Sequence, residues 1–184
     1  MSLPSLVAAI DELGVGHFRG EVFRHVAAGR EARSGRGARI FGGRWNPPDS
    51  FAVVYCGLDV QTVVDEFHRL ARRQGVAAQG FLPRELYRLR VDLLAVLDLR
   101  GDEARRTIGL GDRELRSDDL SACQAIGVAA HSISVEAILA PSAANGGTAL
   151  AVFLDALRPD STFEVTGLEA VWEEPPEGRP RAPR

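Results

Sequence analysis

Arg44, Tyr55 and Glu66 follow one another at intervals of eleven residues and together offer a fixed cation, an aromatic face and a carboxylate. Arg44 lies within Gly42-Gly43-Arg44-Trp45-Asn46-Pro47-Pro48. Glycines ahead of the arginine let a ligand approach the backbone closely, and the prolines stop any helix and stiffen the connection beyond them. A guanidinium fork suits a phosphate or pyrophosphate. An aromatic ring suits a planar heterocycle, and a carboxylate suits positive charge that develops during a reaction. A nucleotide meets all three requirements. Arg24 supplies a second candidate cation, and Ser142, between a proline and two alanines, a hydroxyl.

The whole composition narrows the chemistry further. All 22 basic residues are arginine and none is lysine, which excludes lysine Schiff bases and the lysine of a phosphate loop. Any anion site must therefore use arginine forks or backbone amides. A net charge of -3 argues against general affinity for nucleic acid, so no direct DNA binding is expected. The two cysteines, Cys56 and Cys123, are too few for a zinc site or a disulfide framework and read as small buried hydrophobes. Histidines 17, 25, 68 and 131 show no ligand spacing, so no metal is assigned. No apolar run approaches the roughly 20 residues of a membrane span and no secretory signal is apparent, which makes the cytoplasm the expected location.

These residues need elements to position them. Leu6, Ile10 and Leu13 have helical spacing and Gly14 stops the run, giving a helical segment within residues 1–16. Val22 to Val26 reads as a strand carrying Arg24, 27–37 as a loop, and Ala38 to Trp45 as a strand. Phe51 to Cys56 is a second strand with Phe51, Val53 and Tyr55 on one face. Asp59 or Thr62 caps a helix to Gln74, closed by Gly75, with Val63, Phe67 and Leu70 as its seam and Glu66 at the rim. Glu85 to Leu99 reads as one or two strands. Helices follow over Asp102–Thr107 and Asp118–Ala130, then strands at Ile138–Pro141, Ala149–Leu154 and Phe163–Val165. Helices interspersed with short strands favour a single α+β domain over residues 1–172 rather than a doubly wound sheet. No GxGxxG opens a helix after a strand. Residues 173–184, with four prolines among charges, read as a disordered tail.

The chain resembles the RES domain, the toxin half of a bacterial toxin–antitoxin pair. The resemblance rests on Phe23-Arg24, Gly42-Gly43-Arg44-Trp45-Asn46, Tyr55, Asp65-Glu66-Phe67, Gln124-Ala125-Ile126-Gly127 and Pro141-Ser142-Ala143, in that order. After the serine, this chain has Asn145 and two glycines where many relatives have asparagine–proline. The resemblance implies a compact fold of short, largely antiparallel strands similar to ADP-ribosyltransferase toxins. It also implies cleavage of the nicotinamide–ribose bond of NAD, as a substrate rather than a cofactor, with water or phosphate as acceptor. Arg44 would orient the dinucleotide, Tyr55 stack the nicotinamide, Glu66 stabilise the ribosyl cation, Ser142 secure the substrate, and Arg24 stand near the edge. A cognate helix-turn-helix antitoxin of the Xre type is the implied partner. Two other functions fit the same residues: transfer of ADP-ribose to a protein, and a silent nucleotide- or partner-binding domain.

Overall fold

The spine of the fold is a single strand, β3 (Arg84–Asp98), in which Leu86, Leu89, Val91 and Leu93 are buried while Arg90 and Leu94 face outward. A computed structural model describes residues 1–144 and 146–178. Along one edge β3 pairs antiparallel with β1 (Gly16–Ala27), from Gly16 opposite Val96 to Ala27 opposite Arg84. Its other edge takes β6 (Thr162–Trp172) antiparallel and then β4 (Ala137–Pro141) parallel. From β4 the ladder passes antiparallel to β5 (Thr148–Phe153) and on to β2 (Val53–Gly57). It returns to β1 where Phe23 faces Gly57, so five strands close on themselves and β6 flanks them.

Closure sorts the side chains by strand alternation. Val22, Val54, Cys56, Leu89, Val91, Leu139, Leu150 and Val152 fill the interior. The outer faces are covered by helices. Leu6 and Ile10 of α1 (Leu3–Leu13) and Ile126 and Ala130 of α6 (Ser121–Ser132) pack over β2, β4 and β5. Val63, Val64 and Phe67 of α3 (Val60–Gln74) pack against Leu86 and Trp172 on the other side. Phe67 is completely buried, and its removal to alanine would cost about 3–5 kcal/mol. Asp59 caps α3 by accepting the Thr62 N–H at 2.7 Å, and Gly75 ends it in the left-handed conformation at φ 64°, both as its sequence requires.

Glu136, just ahead of β4, is a fully buried carboxylate. Its Oε2 accepts the N–H groups of Leu94 and Ala95 at 2.6 and 2.8 Å, and its Oε1 accepts that of Arg158 at 2.8 Å. Burial alone would push its pKa up. The amides, that of Arg158 first, outweigh burial and hold it below the ordinary value. It ties β3 to the approach to β6 at one point.

The α+β class with largely antiparallel strands agrees with the sequence. Four elements differ in detail. The segment read as a strand from Ala38 begins with a helix, α2 (Arg36–Phe41), none of whose residues is buried. Six residues without a buried face leave no helical periodicity to read. β1 begins at Gly16 rather than Val22, and β6 runs to Trp172, because long ladders on β3 support both. A short helix, α5 (Asp112–Arg116), had no sequence signal, whereas α4 (Asp102–Thr107) lies where it was expected. Of the segment read as a disordered tail, Glu173–Gly178 runs back along α3, where the His68 ring meets the Pro176 carbonyl at 2.7 Å. Residues 179–184 lie outside the described residues.

Candidate active site

The Gly43–Asn46 segment is a tight turn with Arg44 and Trp45 at its tip. The Gly43 N–H donates to the Asn46 carbonyl at 2.9 Å. Asn46, fully buried, donates through Nδ2 to the Ala38 carbonyl at 2.7 Å and so ties the turn to α2. Tyr55 closes the arrangement from β2: its hydroxyl donates to Asn46 Oδ1 at 2.8 Å and accepts the Trp45 N–H at 2.9 Å. Burial pushes the Tyr55 pKa above its usual value, so the hydroxyl keeps its proton. A Cβ on Gly43 would stand 2.4 Å from that hydroxyl, so only glycine lets the turn lie on the ring.

From the other side, α6 holds the same turn. Gln124 Nε2 donates to the carbonyls of Gly43 and Asn46 at 3.0 and 3.2 Å. A Cβ on Gly127 would meet the Trp45 carbonyl oxygen at 1.7 Å, which forces glycine where the helix crosses. Trp45 itself is buried against this layer. The glutamine–alanine–isoleucine–glycine piece of the sequence is thus a clamp on the arginine turn.

Glu66 projects from α3, which begins directly beyond β2, toward the β4–β5 connection. There the Ser142 hydroxyl donates to Glu66 Oε1 at 2.5 Å. Ser142 is 1% exposed, its own N–H donates to the Gly147 carbonyl, and its Oγ also accepts the Ala144 N–H at 3.1 Å. Ser142 was expected to secure the substrate; here its buried hydroxyl is given to Glu66 and orients that carboxylate. Glu66 stays half-buried, with the rim placement its spacing indicated.

Arg44 lies over the end of α5. Its Nη1 donates to the Leu115 carbonyl at 2.5 Å and its Nη2 to the Ser117 carbonyl at 3.3 Å. Those carbonyls are among the ones a helix leaves without partners at its C-terminus. Arg69, one turn beyond Glu66 on α3, does the same from its side: Nη2 donates to the Arg116 carbonyl at 3.3 Å and to Asp118 at 3.0 Å. Burial lowers the Arg69 pKa first and the nearby Arg44 lowers it further, while Glu66 acts in the opposite sense. Arg44, Arg69 and Glu66 therefore share one electrostatic neighbourhood, and Tyr55 adjoins it through Arg44.

Ser142 meets Glu66 directly, and Arg69 links Glu66 to Arg44 and so to Tyr55, although Arg44 and Ser142 are 98 residues apart in sequence. Arg24, expected near the edge, has its own set of contacts. It shares the interior face of β1 with Val22, opposite Tyr87 of β3, and donates through Nη2 to the Ser34 carbonyl at 2.9 Å. Its Nη1 is buried without a partner, and burial lowers its pKa. Arg69 was missed by the sequence reading. Its signal was present: three residues beyond Glu66 on a helix is the same face. Among the described residues no cluster of metal-ligating side chains occurs, and no helix is long and apolar enough to cross a membrane.

Known proteins share this outline. The RES domain description matches residues 21–172. Proteins named NAD(+) phosphorylase MbcT, from Mycobacterium tuberculosis and Mycobacterium bovis, are 36% identical over 156 residues, which is 84% of this chain and 84% of theirs. The crystal structure of the M. tuberculosis MbcT–MbcA toxin–antitoxin complex contains a chain that superposes with a TM-score of 0.82 at 33% identity. That match covers 91% of this chain and 92% of the other. With the arginine turn, the Glu66–Ser142 pair and these relatives in agreement, the chain belongs to the RES domain family.

Proposed function

We propose that this chain is the toxin of a toxin–antitoxin pair and that it degrades NAD by phosphorolysis of the nicotinamide–ribose bond. The observation that carries the reading is the Glu66 carboxylate, held by Ser142 at 2.5 Å beside two guanidinium groups. A site for binding an anionic dinucleotide alone gains nothing from a carboxylate. A site that must stabilise a ribosyl cation does.

In the reaction an oxygen of inorganic phosphate forms a bond to the ribose C1′ as the bond from C1′ to the nicotinamide nitrogen breaks. The bonding pair passes to the ring nitrogen, cancels its charge, and nicotinamide leaves neutral. The other product is an ADP-ribosyl phosphate. Glu66 faces the sugar and stabilises charge that exists only near the transition state. Ser142 holds one of its oxygens, which leaves the other for the ribose. Arg44 orients the diphosphate with the donors its carbonyl bonds leave over. The hydroxyl of Tyr55 is committed to the turn, so the ring face is what it offers to nicotinamide. The partner is a helix-turn-helix antitoxin of the Xre type that covers this site, and the setting is the cytoplasm, where NAD is available. The relatives' names, NAD(+) phosphorylase MbcT and the MbcT–MbcA complex, support both halves of the reading.

The test is incubation of purified protein with NAD, with and without phosphate, and mass analysis of the products. ADP-ribosyl phosphate that appears only with phosphate supports phosphorolysis. Free ADP-ribose regardless of phosphate would mean hydrolysis, and mass added to a protein would mean ADP-ribosyl transfer. In cells, production without an antitoxin should lower NAD as growth stops. Arrest with unchanged NAD would remove NAD loss as the cause.

A further inference from the structure

We propose that Arg69 binds the acceptor phosphate of the reaction, an inference that rests on the phosphorolysis reading above. Four successive residues, Leu115 to Asp118, carry the geometric argument. Arg44 donates to the carbonyls of Leu115 and Ser117, and Arg69 to that of Arg116 and the side chain of Asp118. Two guanidinium groups that bond alternate residues of one short segment are neighbours, near enough for Arg44 to act electrostatically on Arg69.

They differ in what they have left to give. Arg44 commits both terminal nitrogens, with Nη1 also reaching the Cys123 sulfur at 3.9 Å. Arg69 makes both of its described hydrogen bonds through Nη2 alone. Its Nε and Nη1 are bonded to nothing among the described residues, yet they are not among the buried atoms without partners. They are therefore open to a small ligand, although the side chain as a whole is only 12% exposed. An arginine anchored by one nitrogen and open at two others presents the edge that takes a phosphate side-on.

Position supplies the rest. Arg69 shares the face of α3 with Glu66, one turn away, and Glu66 is the group that meets the ribose carbon under attack. A phosphate dianion brought near that carboxylate is repelled unless a cation stands between them. Arg69 is the residue placed to do this, and its unfavourable proximity to Arg44 is relieved by a bound anion.

Steady-state rates with phosphate and NAD varied independently test the assignment on wild type, Arg69→Gln, Arg69→Lys and Asp118→Asn. Loss of a charge-assisted contact should raise the KM for phosphate roughly ten- to a hundredfold in Arg69→Gln. The KM for NAD should stay within about twofold, and Arg69→Lys should recover part of the loss. Asp118→Asn removes the charge of the anchor but keeps an acceptor there, with the Arg116 carbonyl and the open nitrogens unchanged, so its phosphate KM should stay near wild type. A rise in the NAD KM instead, or no change in either constant, overturns the assignment and leaves phosphorolysis standing. Wild-type turnover indifferent to phosphate overturns both. If thermal melts show Arg69→Gln to be unfolded, Arg69→Lys decides, because a lysine that leaves the phosphate KM unchanged is equally fatal.

Discussion

Glu66 and Glu136 are both glutamates drawn in from solvent, and they have been given opposite tasks. Glu136 is fully buried and meets three backbone N–H groups, so both its oxygens are engaged and nothing can approach it. Glu66 is half-buried and accepts one described hydrogen bond, from Ser142. A carboxylate has room for about four donors. Glu136 uses that capacity to fasten the sheet. Glu66 is steered at one oxygen and left with capacity at the other. The lone pairs left over, together with the lighter burial, distinguish a carboxylate open to a ligand from a structural one.

Exchanging each for glutamine breaks the comparison most directly. Glu66→Gln keeps shape but removes the charge, and turnover should fall on the order of a hundredfold to a thousandfold with NAD affinity and melting temperature nearly unchanged. Steady-state kinetics with a thermal melt would check it, and normal turnover would make Glu66 a mere rim residue. Glu136→Gln should do the reverse. Whichever way the amide turns, its NH2 opposes a backbone N–H, and stability should drop by about 2–4 kcal/mol while folded molecules turn over normally. Denaturant unfolding paired with activity per folded molecule reads both.

Acid sharpens the same contrast. The pKa of Glu136 in the fold lies below its ordinary 4.5. Its contribution to stability is thus fully present above that value and is lost as pH falls through the folded value. Wild type should lose stability on acidification below 4.5 more steeply than Glu136→Gln, and parallel curves would contradict the assignment. The smallest effect belongs to Ser142→Ala. Loss of one hydrogen bond that aims Glu66 should lower kcat about tenfold or less and leave the KM for NAD nearly alone. A change confined to KM would return Ser142 to the substrate.

The legible parts of the molecule were those with local signals. The caps of α3 and the rim position of Glu66 came from Asp59, Gly75 and the seam of Val63 and Phe67, all within one helix. The arginine turn was legible as chemistry but not as structure: α2 precedes it with no buried face, so a helix looked like the start of a strand. Ser142 was named as a site residue without its bond to Glu66, because a hydrogen bond across 76 residues leaves no trace in spacing. Arg24 was named as a second candidate cation from the Phe23-Arg24 piece, and only closure of the sheet shows that it shares the interior face of β1 with Val22. Glu136, a lone acid ahead of an apolar strand, drew no reading from the sequence, because its partners Leu94, Ala95 and Arg158 come from distant segments.

The contact between Gly127 and the Trp45 carbonyl bears on how the gene would fare under selection. Any single-base change that replaces this glycine adds at least a Cβ where 1.7 Å of clearance exists. If the chain poisons its host as proposed, the target for escape is therefore wider than Glu66 and its neighbours. Survivors should carry α6 lesions at Gly127, and turn lesions at Gly43, alongside changes at Glu66. The two groups would separate on inspection: Glu66 variants would accumulate as folded, inert protein, whereas Gly127 variants would be lost to proteolysis. A sequenced collection of such survivors would chart the clamp on the arginine turn residue by residue.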